Sequence, residues 1–229
     1  MTRILAIDTA TEACSVALTD GEKIYSRFEV CPQQHSQKLL PMVDEILQEA
    51  GLTLNELDCL AYGRGPGSFT GVRIATGMIQ GLSLGTRLPV VGISTLAAMA
   101  WEAAQETGKN TVYTAIDARM GEVYFAAYLI SSEGAEPVVA EQVCPPEVAF
   151  EHCTQHDVAV AGTGWGAYEA LETFTRDSSA QVTIMYPSAK AMLTLAKVAY
   201  QRNEGGDAVD VEPVYLRDKV TWKKLPGRE

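Results

Sequence analysis

Hydrophobic positions along this chain fall into two alternating rhythms. Short apolar runs at 3–8 and 14–19, rich in Ile, Val and Ala, flank the polar stretch 9–13 and predict a strand hairpin that follows an aspartate. A third strand fits 23–30. At 36–50 the period changes: Leu39, Leu40, Val43, Ile46 and Leu47 share one stripe, predicting a helix that stops at Gly51, with Pro41 kinking or delaying its first turn. A strand at 57–63 then leads through the glycine-rich turn 65–71 into a helix over 71–84, a strand at 89–93 and a helix over 95–107.

After residue 107 the pattern starts again. Strands at 111–117 and 122–130 are followed by a short amphipathic helix near 146–151, a strand at 157–161, a helix over 166–175, a strand at 181–185 and a helix over 189–203 capped by Ser188. Sliding the chain by 109 residues lays Ala6-Ile7-Asp8 on Ala115-Ile116-Asp117 and Val16-Ala17 on Phe125-Ala126. Each half therefore opens as strand, aspartate, turn, strand. That arrangement can aim a carboxylate and turn N–H groups at a bound phosphate and its metal. Two copies predict a duplicated α/β fold of the actin-like ATPase, ribonuclease H-like kind, as in sugar kinases and heat-shock chaperones. Its lobes would span 1–107 and 108–229, each a mixed sheet flanked by helices.

With 229 residues, 47% of them hydrophobic, the chain can bury a substantial core. The first eight residues run straight into a strand pattern without a basic leader, and no apolar run approaches the roughly 20 residues that span a bilayer, so a cytoplasmic location is expected. Five scattered cysteines without C-x-x-C pairs suit a reducing compartment and buried, unreactive thiols. A formal charge of −11 argues against a broad basic face for nucleic acid.

The run Gly65-Pro66-Gly67-Ser68-Phe69-Thr70-Gly71-Val72-Arg73, with the opening Ile4-Leu5-Ala6-Ile7-Asp8-Thr9 and the ending Pro213-Val214-Tyr215-Leu216-Arg217, resembles the TsaB (YeaZ) family over nearly the whole chain. The resemblance implies a tRNA threonylcarbamoyladenosine pathway in which TsaC makes threonylcarbamoyl-adenylate, TsaD transfers the group to adenosine beside the anticodon, and TsaE supplies ATPase activity. A TsaB-type chain would bind TsaD and TsaE directly as a non-catalytic scaffold and activator. It would pair with itself when TsaD is absent and meet tRNA only through the complex. TsaD carries a His-x-x-x-His metal motif after a strand ending V-G-[VI]-N. Here Val91-Gly92-Ile93-Ser94 is followed by Thr95 and Met99 where those imidazoles would stand, so no metal is expected.

Kinases and actins of this fold use D-x-G-T after the first aspartate, whereas this chain has Asp8-Thr9-Ala10-Thr11, and alanine limits close backbone approach to a phosphate. No cofactor is expected, with weak nucleotide binding only inside a complex. Asp8, Thr9, Asp117, Gly162 and Gly164 stand as vestigial site candidates, although an aspartate closing a strand is also a routine turn acceptor. The helix after Gly71 sets Gly77, Gly81 and Gly85 on one face beside Ile74, Met78 and Leu82, at about 0.5–1 kcal/mol per interior glycine relative to alanine. Close approach of a second helix, internal or from another subunit, would offset that cost. As a subunit contact, the resemblance implies that this face joins the exposed edge of the first helix (His35, Lys38, Met42, Glu45), in a patch of His35, Lys38, Leu39 and Met42 with Arg73, Ile74, Gly77, Met78, Gly81 and Leu82.

His152 and His156 have metal-ligand spacing around Cys153 but no obvious third ligand, and solvated histidines are the plain reading. The basic tail 217–224 is either solvated or a contact for RNA or a partner. Two rival functions remain. A small-molecule kinase or ATPase would need a phosphate turn that 8–11 does not supply. A peptidase would need an H-E-x-x-H or Ser/His/Asp set that the sequence lacks.

Overall fold

The computed structural model describes residues 2–178 and 180–217, so the tail at 218–224 lies outside the described residues. Strands β1 (Ile4–Asp8), β2 (Ala13–Thr19), β3 (Ile24–Val30), β4 (Cys59–Gly65) and β5 (Val90–Ser94) form one sheet in the order β3-β2-β1-β4-β5. Strands β6 (Thr111–Arg119), β7 (Glu122–Ser131), β8 (Gly134–Cys144), β9 (Ala159–Ala161) and β10 (Val182–Ile184) form another in the order β10-β9-β6-β7-β8. In each the first strand pairs antiparallel with the second and parallel with the fourth, so both halves have one topology. This is the duplicated actin-like architecture, with Asp8 and Asp117 at equivalent strand ends.

Helices α1 (His35–Ala50) and α2 (Phe69–Thr86) cover the outer face of the first sheet, over a core that includes Leu5, Ile7, Val16, Leu39, Ile46, Leu60 and Ile79. The short α4 (Pro146–His152) and α5 (Glu169–Ser178) close a smaller core around Phe125, Trp165 and Phe174. Between the sheets lie α3 (Thr95–Thr107) and α6 (Ala189–Gln201). Helix α3 follows β5 yet packs mainly on β6, β7, β8 and β9, while α6 returns to β1, β2, β4 and β5. Alanines at 97, 98, 100, 103 and 104 keep α3 thin enough to be buried from both sides. The two sheets consequently share one central core.

Several expectations need correction. Helix α1 begins at His35, ahead of Pro41, so the proline does not delay it; its ring lies on the exposed side, where the lost backbone bond is open to water. Strand β4 extends to Gly65 and α2 starts at Phe69, with Ser68 as its cap. The predicted helix over 166–175 divides into a 3-10 turn, Thr163–Gly166, and α5. Strand β8 was not legible, because it is half-exposed and carries Pro137 and two glutamates. Among the described residues no helix is long and apolar enough to cross a membrane.

Candidate functional site

Strand β1 delivers Asp8 to the centre of the molecule, where it is fully buried. Its Oδ1 accepts from Ala10 N at 3.0 Å, and among the described residues Oδ2 has no partner. Burial therefore pushes this carboxyl up to about 7, against the smaller opposing pull of the Ala10 N–H. The adjoining turn is occupied by the protein itself. Thr9 Oγ1 donates to Gly71 O at 2.6 Å, and Ser68 N donates to Ala10 O at 2.7 Å. A Cβ on Gly67 or Gly71 would come within 3.0 Å of the carbonyl oxygen of Ala10 or Thr9 respectively. The glycine-rich run thus lets α2 start flush against the β1–β2 turn, where a phosphate turn would otherwise be open.

The equivalent turn in the second lobe is also internally paired. Asp117 Oδ1 accepts from Arg119 N at 2.8 Å and from Tyr168 OH at 2.7 Å, and Oδ2 lies 3.1 Å from Arg119 Nη1. Arg119 bridges to Glu12 at 3.0 Å, joining the two turns. Desolvation first, and then the Asp117 carboxylate, push the Tyr168 hydroxyl up to about 12. Gly162 and Gly164 press on Ala115 of β6 rather than facing the cleft: a Cβ on Gly162 would come within 3.0 Å of Ala115 O. Thr163 Oγ1 accepts from Asp117 N at 3.0 Å.

A cavity of about 700 Å³ lies between the two turns, the start of α2 and residues 214–217. The segment 211–217 straps the lobes across it. Tyr62 OH donates to Glu212 O at 2.8 Å, Val214 N donates to Arg64 O at 2.7 Å, and Arg217 donates to Ala118 O at 3.1 Å and Glu122 Oε2 at 2.6 Å. The charged groups at this cleft satisfy one another. Among the described residues no three His, Cys, Asp or Glu side chains form a metal-binding group. Thr95 and Met99 are fully buried, and His152 and His156 do not share a helix face. Helix α4 ends at His152, whose ring stacks on Phe125, while His156 stacks on Phe174.

On the outer face, the patch expected on α1 and α2 divides. His35, Leu39 and Met42 are buried, not an exposed edge, because the turn of α1 that carries Leu39 and Val43 packs its flanks against β2 and α2. Lys38 alone of the four reaches solvent, and it pairs with Glu29 at 3.0 Å. Helix α2 keeps its outward strip: Arg73, Gly77, Gly81 and Gly85 are exposed, with Ile74, Met78 and Leu82 half-buried beside them. Among the described residues, a Cβ added at Gly77, Gly81 or Gly85 would meet nothing within 4 Å, so none of the described helices rests on this stripe.

The strip continues into residues that sequence reasoning missed. Arg73 lies 3.7 Å over the Phe69 ring and its Nε donates to Tyr215 OH at 2.8 Å, forming an exposed stack at the head of α2, while Leu84 stands 70% exposed at its end. Phe69 inside an otherwise small and polar loop was the one available signal.

The comparisons agree with this architecture. The family model described as TsaD, tRNA N6-adenosine threonylcarbamoyltransferase, matches residues 24–225. The chain is 47% identical to the tRNA threonylcarbamoyladenosine biosynthesis protein TsaB of Haemophilus influenzae, over 99% of this chain and 98% of that one. It is 46% identical to the protein of the same description from Escherichia coli, over 99% of this chain and 100% of that one. A solved structure described as YeaZ from Pseudomonas aeruginosa superposes with a TM-score of 0.81 at 42% identity, over 94% of this chain and 100% of that chain.

Proposed function

This chain belongs to the TsaB family of tRNA threonylcarbamoyladenosine biosynthesis proteins, and from that premise we propose that it is a non-catalytic scaffold and activator. In this reading it binds TsaD, with TsaE, for transfer of the threonylcarbamoyl group to N6 of adenosine 37 in tRNAs that read codons beginning with A. It carries no cofactor of its own and meets tRNA only through the assembly.

The observation that carries the reading is the outward glycine stripe of α2. Gly77, Gly81 and Gly85 each cost the helix about 0.5–1 kcal/mol, and nothing among the described residues uses the space they leave. A helix from a partner can approach the backbone there, with Ile74, Met78 and Leu82 supplying apolar edges. A partner that pins this surface biases the lobe geometry of TsaD by differential binding, without contributing an acid, base or metal.

Reconstitution with TsaC, TsaD and TsaE tests the proposal. Omitting this chain abolishes tRNA modification, and Met78→Glu weakens both association and modification far more than Asp8→Ala. Undiminished modification without the chain, or an unaffected Met78→Glu variant, overturns it.

A further inference from the structure

Helix α2 carries a single charged residue. Of its 18 residues only Arg73 is ionised, and it stands one turn from the helix N-terminus, whose positive dipole reinforces that charge rather than offsetting it. Acids are plentiful in this chain, 29 against 18 lysines and arginines. Arg27, Arg64, Arg119, Arg202 and Arg217 each pair with one, but among the described residues the exposed Arg73 joins no ion pair.

Aromatic rings hold it instead. Its guanidinium carbon lies 3.7 Å from the centroid of Phe69 and 5.7 Å from that of Tyr215, and its Nε donates to Tyr215 OH at 2.8 Å. The two rings pack on each other with centroids 5.5 Å apart, and the backbone beside Tyr215 is tied down by Val214 N donating to Arg64 O at 2.7 Å. The guanidinium plane is thereby fixed, while Nη1 and Nη2 meet no acceptor among the described residues. A stacked fork with both terminal N–H groups open can take a carboxylate through two parallel hydrogen bonds, with little side-chain entropy left to lose.

We propose that Arg73, held by Phe69 and Tyr215, anchors an aspartate or glutamate of the protein that docks on α2. Phe69, Arg73, Gly77, Gly81 and Gly85 follow one another at four-residue spacing along one ridge of the helix, so the fork stands at the head of the shallow strip that the glycines leave. Phe69 and Tyr215 are 56% and 43% exposed, and a partner that covers these rings excludes water from the ion pair and strengthens it. The proposal rests on the docking role of α2 and adds the partner's chemistry: a helix face of small or apolar residues that ends in an acid. Nucleic acid is the poorer match, because a polyanion is gripped through several phosphates, whereas α2 offers one cation in a chain of net charge −11.

Calorimetric titration of TsaD with the parent chain and its variants at low and high salt, with thermal melts to verify folding, tests this. Arg73→Gln weakens binding at least tenfold at low salt, and the deficit narrows at high salt as the parent's ion pair is screened. Arg73→Lys keeps the charge without the fork and recovers only part of the loss. Gly81→Leu separates the anchor from the docking role on which it rests. If Gly81→Leu binds far more weakly while Arg73→Gln binds as the parent does, the anchor alone is overturned; if both bind as the parent does, the docking role falls with it. Capture of tRNA by this chain alone that Arg73→Gln abolishes also overturns the proposal, because the anion would then be a phosphate.

Discussion

Gly63 on β4 makes room for the carboxylate of Asp8 on β1: a Cβ at Gly63 would come within 3.0 Å of Asp8 Oδ2. The carboxylate is the firm obstacle, since Asp8 is fixed through the Ala10 N–H, while the terminal methyl of Met192 on α6 lies 3.2 Å from the same point. Gly63→Ala should destabilise the chain by about 2–4 kcal/mol, as overpacking beside a buried polar group does. Chemical denaturation monitored by circular dichroism would measure it.

Asp8 also makes stability depend on pH. Its carboxyl is raised from 3.8 to about 7 in the folded chain. Below about pH 4 both states hold the proton and burial imposes no ionic penalty. Between about pH 4 and 7 the unfolded chain ionises while the folded one keeps its proton, so stability falls as pH rises, by a total on the order of 4 kcal/mol above pH 7. Asp8→Asn keeps an acceptor for Ala10 N and removes the titration. Its stability relative to the parent should rise across that interval and level off above about pH 7, measurable by denaturation at a series of pH values.

The thiols should be inert in the folded state. Burial pushes Cys14, Cys59 and Cys153 up to about 12, so little thiolate exists near neutral pH. Alkylation by iodoacetamide at pH 8 should be slow until denaturant is added, when all five cysteines react. Rapid labelling of Cys14 or Cys59 in the native chain would contradict the packing described.

Replacing the outward glycines should separate stability from association. Gly77→Ala with Gly81→Ala adds methyl groups into open space on a regular helix, and should stabilise the isolated chain by about 1–2 kcal/mol. In a chain of this size that raises Tm by a few degrees. A loss of thermal stability would mean that the stripe is packed internally.

The doubled strand-aspartate-turn unit was legible because β1, β2, β6 and β7 are buried runs with few polar interruptions. What the pattern could not assign was partnership. Helix α3 follows β5 in the chain but covers the other lobe, and no local periodicity distinguishes those surfaces. The apolar stripe of α1 was evident, yet its breadth was not: α2 and β2 widen the buried arc to include His35 and Met42. The spacing of Gly77, Gly81 and Gly85 announced a close approach without saying from which side. The glycine-rich run had the composition of a phosphate turn, but Gly67 and Gly71 serve contact with Ala10 and Thr9.

The most direct measurement is the affinity of purified TsaD for this chain and its Gly81→Leu variant, by isothermal titration calorimetry, with thermal melts of each. The account predicts a variant that melts no lower than the parent but binds TsaD at least a hundredfold more weakly, since an isobutyl group on the stripe keeps an incoming helix away. Equal affinity for the two chains would contradict the assignment of α2 as the docking surface.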